Sequence, residues 1–394
     1  MDIMPTYPIN KLNHHSQAHT RLCFFIARMD GFGGTERSAC TVADGVVDLA
    51  NVLDVHMIAL MGEAACKFDV DQRIKRTSLF KESGRMTGRY LPAIAKLRRY
   101  LIENRINTIV VVESSLCLYA IPAAVGLKIR TICWEHFNFN SNAGRRKRTF
   151  ARYLAALVVD DIVTLTQRDR EVWLKKTGTE ARVHAIVNPI DGDLFDCTYD
   201  HQSKTVLAIG RLVHQKGFDL LIAAWAEVLR DPAADGWNLL IVGDGEGRAV
   251  LERLISDCKI TASVTLKKST ETVQDYYKKA ALVCCSSRYE GLPMVLIEAC
   301  SCGLPIVSFD CETGPREIVA DGESGRLVPN GDVLGLAVAL RELMKNERMR
   351  IDFSKAAKST SARFSRQAVL ERWRTLLLEG DAGNSPRFES RAIQ

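Results

Sequence analysis

Leu282-Val283-Cys284-Cys285-Ser286-Ser287-Arg288-Tyr289-Glu290-Gly291-Leu292-Pro293-Met294-Val295-Leu296-Ile297-Glu298-Ala299 packs a strand, a turn and a helix into one short stretch. Leu282 to Ser286 is an apolar run of strand length. Glu290 opens a glycine-bearing turn, and Pro293 begins a helix at the position where its missing N–H does no harm. The free N–H groups of a helix's first turn form an anion site. Glu298 lies about one turn further on, beside Val295, Leu296 and Ile297, where a carboxylate is costly unless it is given partners.

The same strand-then-helix rhythm runs outward in both directions, the pattern of parallel sheets covered by helices. Strands are expected at Leu22–Ala27, Asp54–Leu60, Thr108–Val112, Arg130–Trp134, Ile162–Thr166 and Val183–Val187. A second set is expected at Thr205–Gly210, Leu239–Gly243, Val264–Leu266, Leu282–Ser286, Pro305–Phe309 and Gly325–Val328. The fold class is therefore α/β, with two doubly wound units at 21–190 and 203–364. A linker rich in Asp, Pro and Gly runs from Asn188 to Lys204. Ser365 to Glu379 reads as a final helix with Ser365 as N-cap, Phe364 stapled to Val369, and Gly380 past its end, so a 365–380 element follows. Segments 1–20 and 381–394 read as flexible ends. Two open sheets whose strand ends face one another enclose a cleft, where ligands of such sheets bind.

Composition narrows the class. Apolar residues make up 47% and charged residues 25%, as in globular proteins with a full core. The longest apolar run, Leu116 to Leu127, falls short of a bilayer span and contains Pro122, and no export signal is visible, so a cytoplasmic protein is expected. The cysteines have no framework spacing and read as reduced core thiols. A net charge of +6 does not mark a nucleic-acid binder. Basic residues gather at Arg85, Arg89, Lys96, Arg98 and Arg99 and at Arg145, Arg146, Lys147 and Arg148. They read either as a solvated face or as an adhesive face for an anionic membrane surface.

Three further strand ends carry chemistry. Gly210-Arg211-Leu212 and Lys216-Gly217 follow the strand that opens the second unit; a planar fork and a point charge together suit a diphosphate, although either alone reads as a solvated surface charge. Gly31-Phe32-Gly33-Gly34-Thr35-Glu36-Arg37 follows the first strand. It is either a plain tight turn or a place where backbone approaches a phosphate or sugar, and it lacks both the dinucleotide spacing and the P-loop lysine. Trp134-Glu135-His136-Phe137-Asn138 puts His136 at a strand end facing the cleft. Gly243-Asp244-Gly245-Glu246-Gly247 reads as a helix start near a nucleotide base. The strings Asp69-Val70-Asp71 and Asp191-Gly192-Asp193 do not follow core strands as metal-binding carboxylates would, so no metal or other cofactor is expected.

Glu290 and Glu298 with seven residues between them, Gly210-Arg211, Lys216-Gly217, Asn188-Pro189-Ile190-Asp191 and the Gly33-Gly34-Thr35-Glu36 turn together resemble glycosyltransferase family 4, over about residues 21 to 378. The resemblance implies the GT-B fold, with the last helix crossing back to the first domain. It implies Arg211 and Lys216 on a donor diphosphate and Glu298 on the ribose. Glu290 with Gly291, Leu292, Pro293 and Met294 would surround the transferred sugar, and Gly33 and Gly34 would approach the phosphate from the opposite domain. His136 matches a cleft histidine with a catalytic role. Where the family commonly has a glycine after Val264-Thr265-Leu266, this chain has Lys267-Lys268. Cys311-Glu312-Thr313-Gly314-Pro315-Arg316-Glu317 is similar to members that build bacterial polysaccharide on lipid diphosphates.

The implied activity is retaining transfer of a hexose or N-acetylhexosamine from a nucleotide-sugar, a UDP-sugar, to a glycan acceptor. That acceptor would be lipid-linked, in surface polysaccharide or lipopolysaccharide synthesis, with the enzyme peripheral at the inner membrane face. Two rivals use the same donor: a GT-B-fold sugar-nucleotide epimerase, which needs a second acid/base beside His136, and a partner subunit without turnover.

Overall fold

The structure, a computed structural model, describes residues 20–31, 33–49, 52–82, 84, 88–141, 146–190, 199–270 and 272–379. The first sheet contains β1 (Thr20–Ile26), β2 (Val52–Ala59), β3 (Lys75–Ser78), β4 (Thr108–Val112), β5 (Arg130–Trp134), β6 (Asp161–Thr164) and β7 (Arg182–Ala185). The second contains β8 (Thr205–Ile209), β9 (Asn238–Val242), β10 (Val264–Lys267), β11 (Leu282–Cys285), β12 (Ile306–Asp310) and β13 (Gly325–Pro329). All pairings are parallel, in the orders β3-β2-β1-β4-β5-β6-β7 and β10-β9-β8-β11-β12-β13. Strands covered on both faces need apolar side chains on both, and Phe24, Phe25, Val110 and Val111 are accordingly without exposure.

The expected strands are present, Thr108–Val112 and Arg130–Trp134 with the expected bounds and the others with ends shifted by up to two residues. β3 was not expected: Lys75-Arg76-Thr77-Ser78 is polar because it is a sheet edge, in register with His56 to Ala59 of β2. Pro293 is the N-cap of the helix Met294–Ser301 and not its first residue, so the helix opens one position later than the sequence suggests.

The helix Arg366–Glu379 packs on the first domain. Ser365 Oγ accepts the Ala368 N–H (3.3 Å) as N-cap. Trp373 meets Trp134 of β5 edge to face at 4.6 Å. Arg130 donates to the carbonyls of Leu376 (3.0 Å) and Leu377 (3.3 Å) while its charge rests on buried Asp161 (2.8 Å). Guanidinium at a helix C-terminus satisfies carbonyls that have no helical partner. One hydrophobic cluster therefore runs from Phe24 and Trp134 through Trp373 to Leu296 and Ile297, joining both domains. The chain crosses back where Ile190 pairs with Ser365, and the Ile190 N–H donates to the Phe364 carbonyl (3.2 Å).

The described cysteines are free thiols. Among the described residues no helix is long and apolar enough to cross a membrane, and Leu116 to Leu127 contains only the short helix Cys117–Ala124. Residues 1–19 and 380–394, Phe32, Arg85, Arg145 and the Asp191-Gly192-Asp193 string lie outside the described residues.

Candidate active site

In the second sheet the chain order reverses between β8 and β11, and in the first between β1 and β4. Loops leaving adjacent strands at such a reversal splay apart and leave a crevice beyond the strand ends. Lys216 follows β8 and Glu290 follows β11, so the reversal brings together residues 74 apart in sequence.

Lys216 Nζ donates to Glu290 Oε1 at 2.6 Å, and Ser287 Oγ donates to the same oxygen at 2.6 Å. Glu290 is 6% exposed, so this pair is largely cut off from water. Burial pulls the Lys216 pKa down, but the charge of Glu290 and its hydrogen bond, with Cys285 adding, outweigh it and hold the ammonium above its ordinary range. The loops are stitched together below the pair. Ser286 Oγ donates to the Lys216 carbonyl (2.9 Å), Gln215 to the Tyr289 carbonyl (3.0 Å), and Arg288 forks onto Asp219 (2.6 and 2.9 Å). Gly217 has φ +62°, and a β-carbon there would stand 2.1 Å from the Ser286 carbonyl oxygen, so only glycine lets these loops close. Arg211 is exposed and forms no ion pair among the described residues, leaving its fork available to a ligand.

Glu298 is not left waiting for a ligand. Its Oε2 accepts the hydroxyl of Tyr277 (2.7 Å), and Arg37 from the first domain approaches Oε1 at 3.8 Å. Burial and the Glu298 carboxylate push the Tyr277 hydroxyl well above its ordinary pKa, so it remains a donor.

The first domain meets this site at two places. Gly34 opens the helix Gly34–Val46, and a β-carbon on it would lie 3.7 Å from Met294, ordinary contact distance. Gly33 is extended (φ −74°, ψ 161°), and the nearest atom to a β-carbon there is the flexible Glu36 carboxylate. Neither glycine is demanded by backbone conformation. His136 follows β5 and its carbonyl oxygen would stand 2.6 Å from a β-carbon on Gly291, so glycine is required where the domains touch. His136 is 8% exposed, its ring meets that of Trp134 at a tilt (centroids 4.6 Å apart), and its Nε2 has no partner among the described residues. Burial lowers its pKa to about 4, so the imidazole is neutral at neutral pH. It offers a hydrogen bond and not a positive charge.

Sequence reasoning missed the residues that hold this arrangement. Thr313 Oγ1 donates to the Glu290 carbonyl (2.6 Å), and Asn138 reaches that carbonyl (3.5 Å) and the Glu312 carboxylate (3.4 Å). Glu312 also accepts from Asn140, and Glu317 accepts the Arg168 backbone N–H (3.0 Å). The segment Cys311 to Glu317 thus ties the Glu290 turn to the first domain. Beneath His136, Glu135 accepts its own next two N–H groups (3.0 Å each) and pairs with Arg152 (2.9 Å), both side chains fully buried. Gly243 to Gly247 packs over Leu212: the Leu212 N–H donates to the Asp244 carbonyl (2.8 Å) and the Gly247 N–H to the Leu212 carbonyl (2.9 Å), and a β-carbon on Gly243 would stand 1.9 Å from the Gly210 carbonyl oxygen, so those glycines serve loop closure. No cluster of three metal-ligating side chains occurs among the described residues.

The basic face is mostly spent internally. Lys96 donates to the Leu79 carbonyl, Arg98 to those of Ala123 and Val125, Arg99 pairs with Glu103, Arg89 with Glu82, and Arg148 is buried on Glu113. Arg146 and Lys147 remain exposed at the start of the helix Arg146–Val158.

Two doubly wound domains with a cation–carboxylate pair at the switch point of the second define a GT-B enzyme of the glycosyltransferase class. Residues 32–194 match the family described as Glycosyltransferase Family 4, and residues 195–360 match Glycosyl transferases group 1. The chain is 33% identical over 357 residues to an uncharacterized glycosyltransferase of Haemophilus influenzae, covering 91% of this chain and 99% of that one. It is 34% identical over 259 residues to the amylovoran biosynthesis glycosyltransferase AmsD of Erwinia amylovora, covering 64% and 71%. A Campylobacter jejuni N-acetylgalactosaminyltransferase, whose name gives a diphosphate-undecaprenol-linked GalNAc acceptor, is 26% identical, covering 91% and 98%. Among solved structures, the sucrose-phosphate synthase of Thermosynechococcus elongatus superposes with a TM-score of 0.79 at 17% identity, covering 92% and 100%. Anabaena HepE in complex with UDP and glucose gives 0.75 at 18%, covering 91% and 99%. The chain spans 58% of S. aureus TarM, with 72% of its own length, 23% identity and a TM-score of 0.64. These structural likenesses show the fold. The chain belongs to glycosyltransferase family 4 and is a glycosyltransferase.

Proposed function

We propose that the chain transfers a hexose or N-acetylhexosamine, with retention of configuration, from a UDP-sugar to a glycan acceptor carried on a lipid. The observation that carries this reading is the Lys216–Glu290 pair at the β8/β11 reversal, with both donors on Oε1 and Oε2 left to a ligand. Lys216 has further N–H bonds to give a diphosphate, Arg211 adds a second cation, and the leaving group is stabilised electrostatically. Activity is therefore expected to survive chelation of divalent metals.

The acceptor hydroxyl attacks the anomeric carbon on the face the diphosphate leaves. The bond to the diphosphate oxygen breaks as the new glycosidic bond forms, and the hydroxyl proton passes to the diphosphate. Glu290 orients the sugar and faces its developing positive charge, and neutral His136 holds a sugar hydroxyl through Nε2. Glu298 takes the ribose by exchanging its contact with Arg37. The names of AmsD and the Campylobacter transferase support a lipid-linked polysaccharide acceptor, and the UDP complex of HepE supports the base. Relatives that are transferases favour this over epimerisation.

The membrane contact is assigned to the helix Arg146–Val158. Phe150, Tyr153 and Leu157 are 64%, 42% and 60% exposed on one stripe that begins with Arg146 and Lys147. Flotation with anionic vesicles at low salt should recover the protein, and no binding there would remove the membrane contact. The activity itself is tested with a panel of UDP- and GDP-sugars. UDP release from at least one UDP-sugar, with an α-anomeric product proton by NMR when an α-linked donor is used, is the expected result. Inertness toward the whole panel, or an inverted product, would overturn the reading.

A further inference from the structure

Beside the returning chain crossing lie two contiguous grooves, of about 240 and 450 Å3, that share Gln167, Ala185 and Arg372 as lining. They are walled by β7, by the ends of the β6 and β12 loops, and by the C-terminal helix. Three arginines converge on them: Arg170, Arg363 and Arg372. Each spends an N–H on a backbone carbonyl. Arg170 Nε donates to Val183 (2.7 Å), Arg372 to Ala185 (3.5 Å), and Arg363 to Glu317.

Among the described residues none of the three pairs with a carboxylate, in contrast to Arg130, Arg148, Arg152, Arg288 and Arg326, which all do. The lining carboxylate, Glu317, accepts the Arg168 backbone N–H. The lining of both grooves thus carries more positive charge than it neutralises. Val183 and Ala185 belong to the edge strand of the first sheet, so Arg170 and Arg372 cap edge carbonyls while Arg363 caps that of Glu317 in the helix Pro315–Ile318, and each is held with part of its fork free. Anchored forks have already lost much of the rotamer freedom that a ligand would otherwise have to restrict.

We propose that this groove is a second anion site, separate from the donor diphosphate site, and that it takes a phosphate group. Several convergent forks suit a tetrahedral phosphate with three terminal oxygens better than a carboxylate with two. The joint volume is that of a small-molecule pocket, so the phosphate can be sugar-linked. That the ligand is the phosphate-bearing part of the acceptor rests on the transferase reading; the existence of the anion site does not.

The test is titration of the full-length chain with inorganic diphosphate, by calorimetry and 31P NMR, in saturating UDP so that the donor site is filled. One site should remain, weakened at least tenfold in the R363Q/R372Q double variant and unchanged in Arg211→Ala. Thermal melting of each variant without ligand reports that it is folded. A third variant, Arg170→Gln, should weaken the site by a smaller factor while leaving the other walls intact. Absence of any site under UDP, or equal affinity in the folded double variant, would overturn the proposal. Parallel titrations with glucose 1-phosphate and with glucuronate separate the sources: binding of the sugar phosphate but not the uronate supports the phosphate assignment, and tighter uronate binding contradicts it. Glu290→Gln should lose transfer yet keep this site, so failure here and failure of the transferase reading are distinguishable.

Discussion

Two sets of strand ends face one cleft, and they are built on different terms. Beyond β8 and β11, Lys216, Glu290 and Glu298 each hold a partner within the protein, on loops stitched by Ser286, Gln215 and Arg288. Beyond β1 and β5, the first domain offers two glycines that the backbone does not require and a histidine whose buried Nε2 has no partner among the described residues. The second half is preorganised around charge, so a ligand there exchanges one set of partners for another. The first half supplies shape and a neutral hydrogen-bonding group, and its charges, Glu135 and Arg152, are consumed beneath the surface in supporting His136. On the proposed reading, charge stabilisation belongs to the second domain, and placement of the other substrate to the first.

The largest break in that comparison should come from Glu290→Gln. Turnover is expected to fall by at least about 100-fold with folding intact, because a positioned carboxylate is lost while its size is kept. His136→Gln, which keeps a hydrogen-bonding amide, should cost far less; equal losses in steady-state assays would erase the asymmetry. Next is stability. Lys216→Met leaves the Glu290 carboxylate buried without its cation, an effect on the order of 3–5 kcal/mol in denaturant titration. Exposed Arg211→Ala should stay within about 0.5 kcal/mol while weakening donor binding.

A pH-dependent effect sharpens the first-domain side. Burial, with the Glu135 charge adding, raises the Asp169 carboxyl to about 7 from the ordinary 3.8, even though it accepts the Phe139 N–H at 2.7 Å. The fold keeps this acid protonated while the unfolded chain ionises. The resulting cost is absent below about pH 4, grows between pH 4 and pH 7, and is constant above, as a carboxyl moved from 3.8 to about 7 requires. Asp169→Asn should therefore raise the melting temperature at pH 8 and leave it nearly unchanged at pH 4; a difference that does not vary with pH would refute the shift. The smallest effect is expected of Glu312→Ala, which removes a part-buried contact to Asn138 and an exposed one to Asn140. A loss of about 1 kcal/mol or less, seen as a few-fold change in KM with kcat nearly kept, would mark the segment as a tie between domains.

The second half was legible because its chemistry is local. Glu290 and Glu298 share one strand–turn–helix unit, and Arg211 and Lys216 share one loop, so spacing along the chain conveys their spacing in the fold. The strands were legible because two covered faces demand unbroken apolar runs. β3 was hidden, since an edge strand such as Lys75-Arg76-Thr77-Ser78 has no such demand. Tyr277, Thr313 and Asn138 were hidden for another reason: each acts on a residue distant in sequence, brought near by the helices on either side of β11, by the β11/β12 pairing and by the domain contact respectively. Thr166 and Asp169 carried a readable signal, a helix N-cap with an acid three residues on, although the cap alone does not foretell that Asp169 is turned toward Phe139. The basic face was less legible because Lys and Arg also cap carbonyls and pair locally, which composition does not distinguish.

The most direct test compares UDP binding across the two halves by calorimetry. Arg211→Ala, Lys216→Met and Glu298→Gln should each weaken UDP at least tenfold, whereas His136→Gln and Gly34→Ala should leave it within about threefold, given that 1.4 kcal/mol corresponds to a factor of ten. UDP affinity that is unchanged by the second-domain variants, or lost through His136, would contradict the assignment of the donor site to the second sheet.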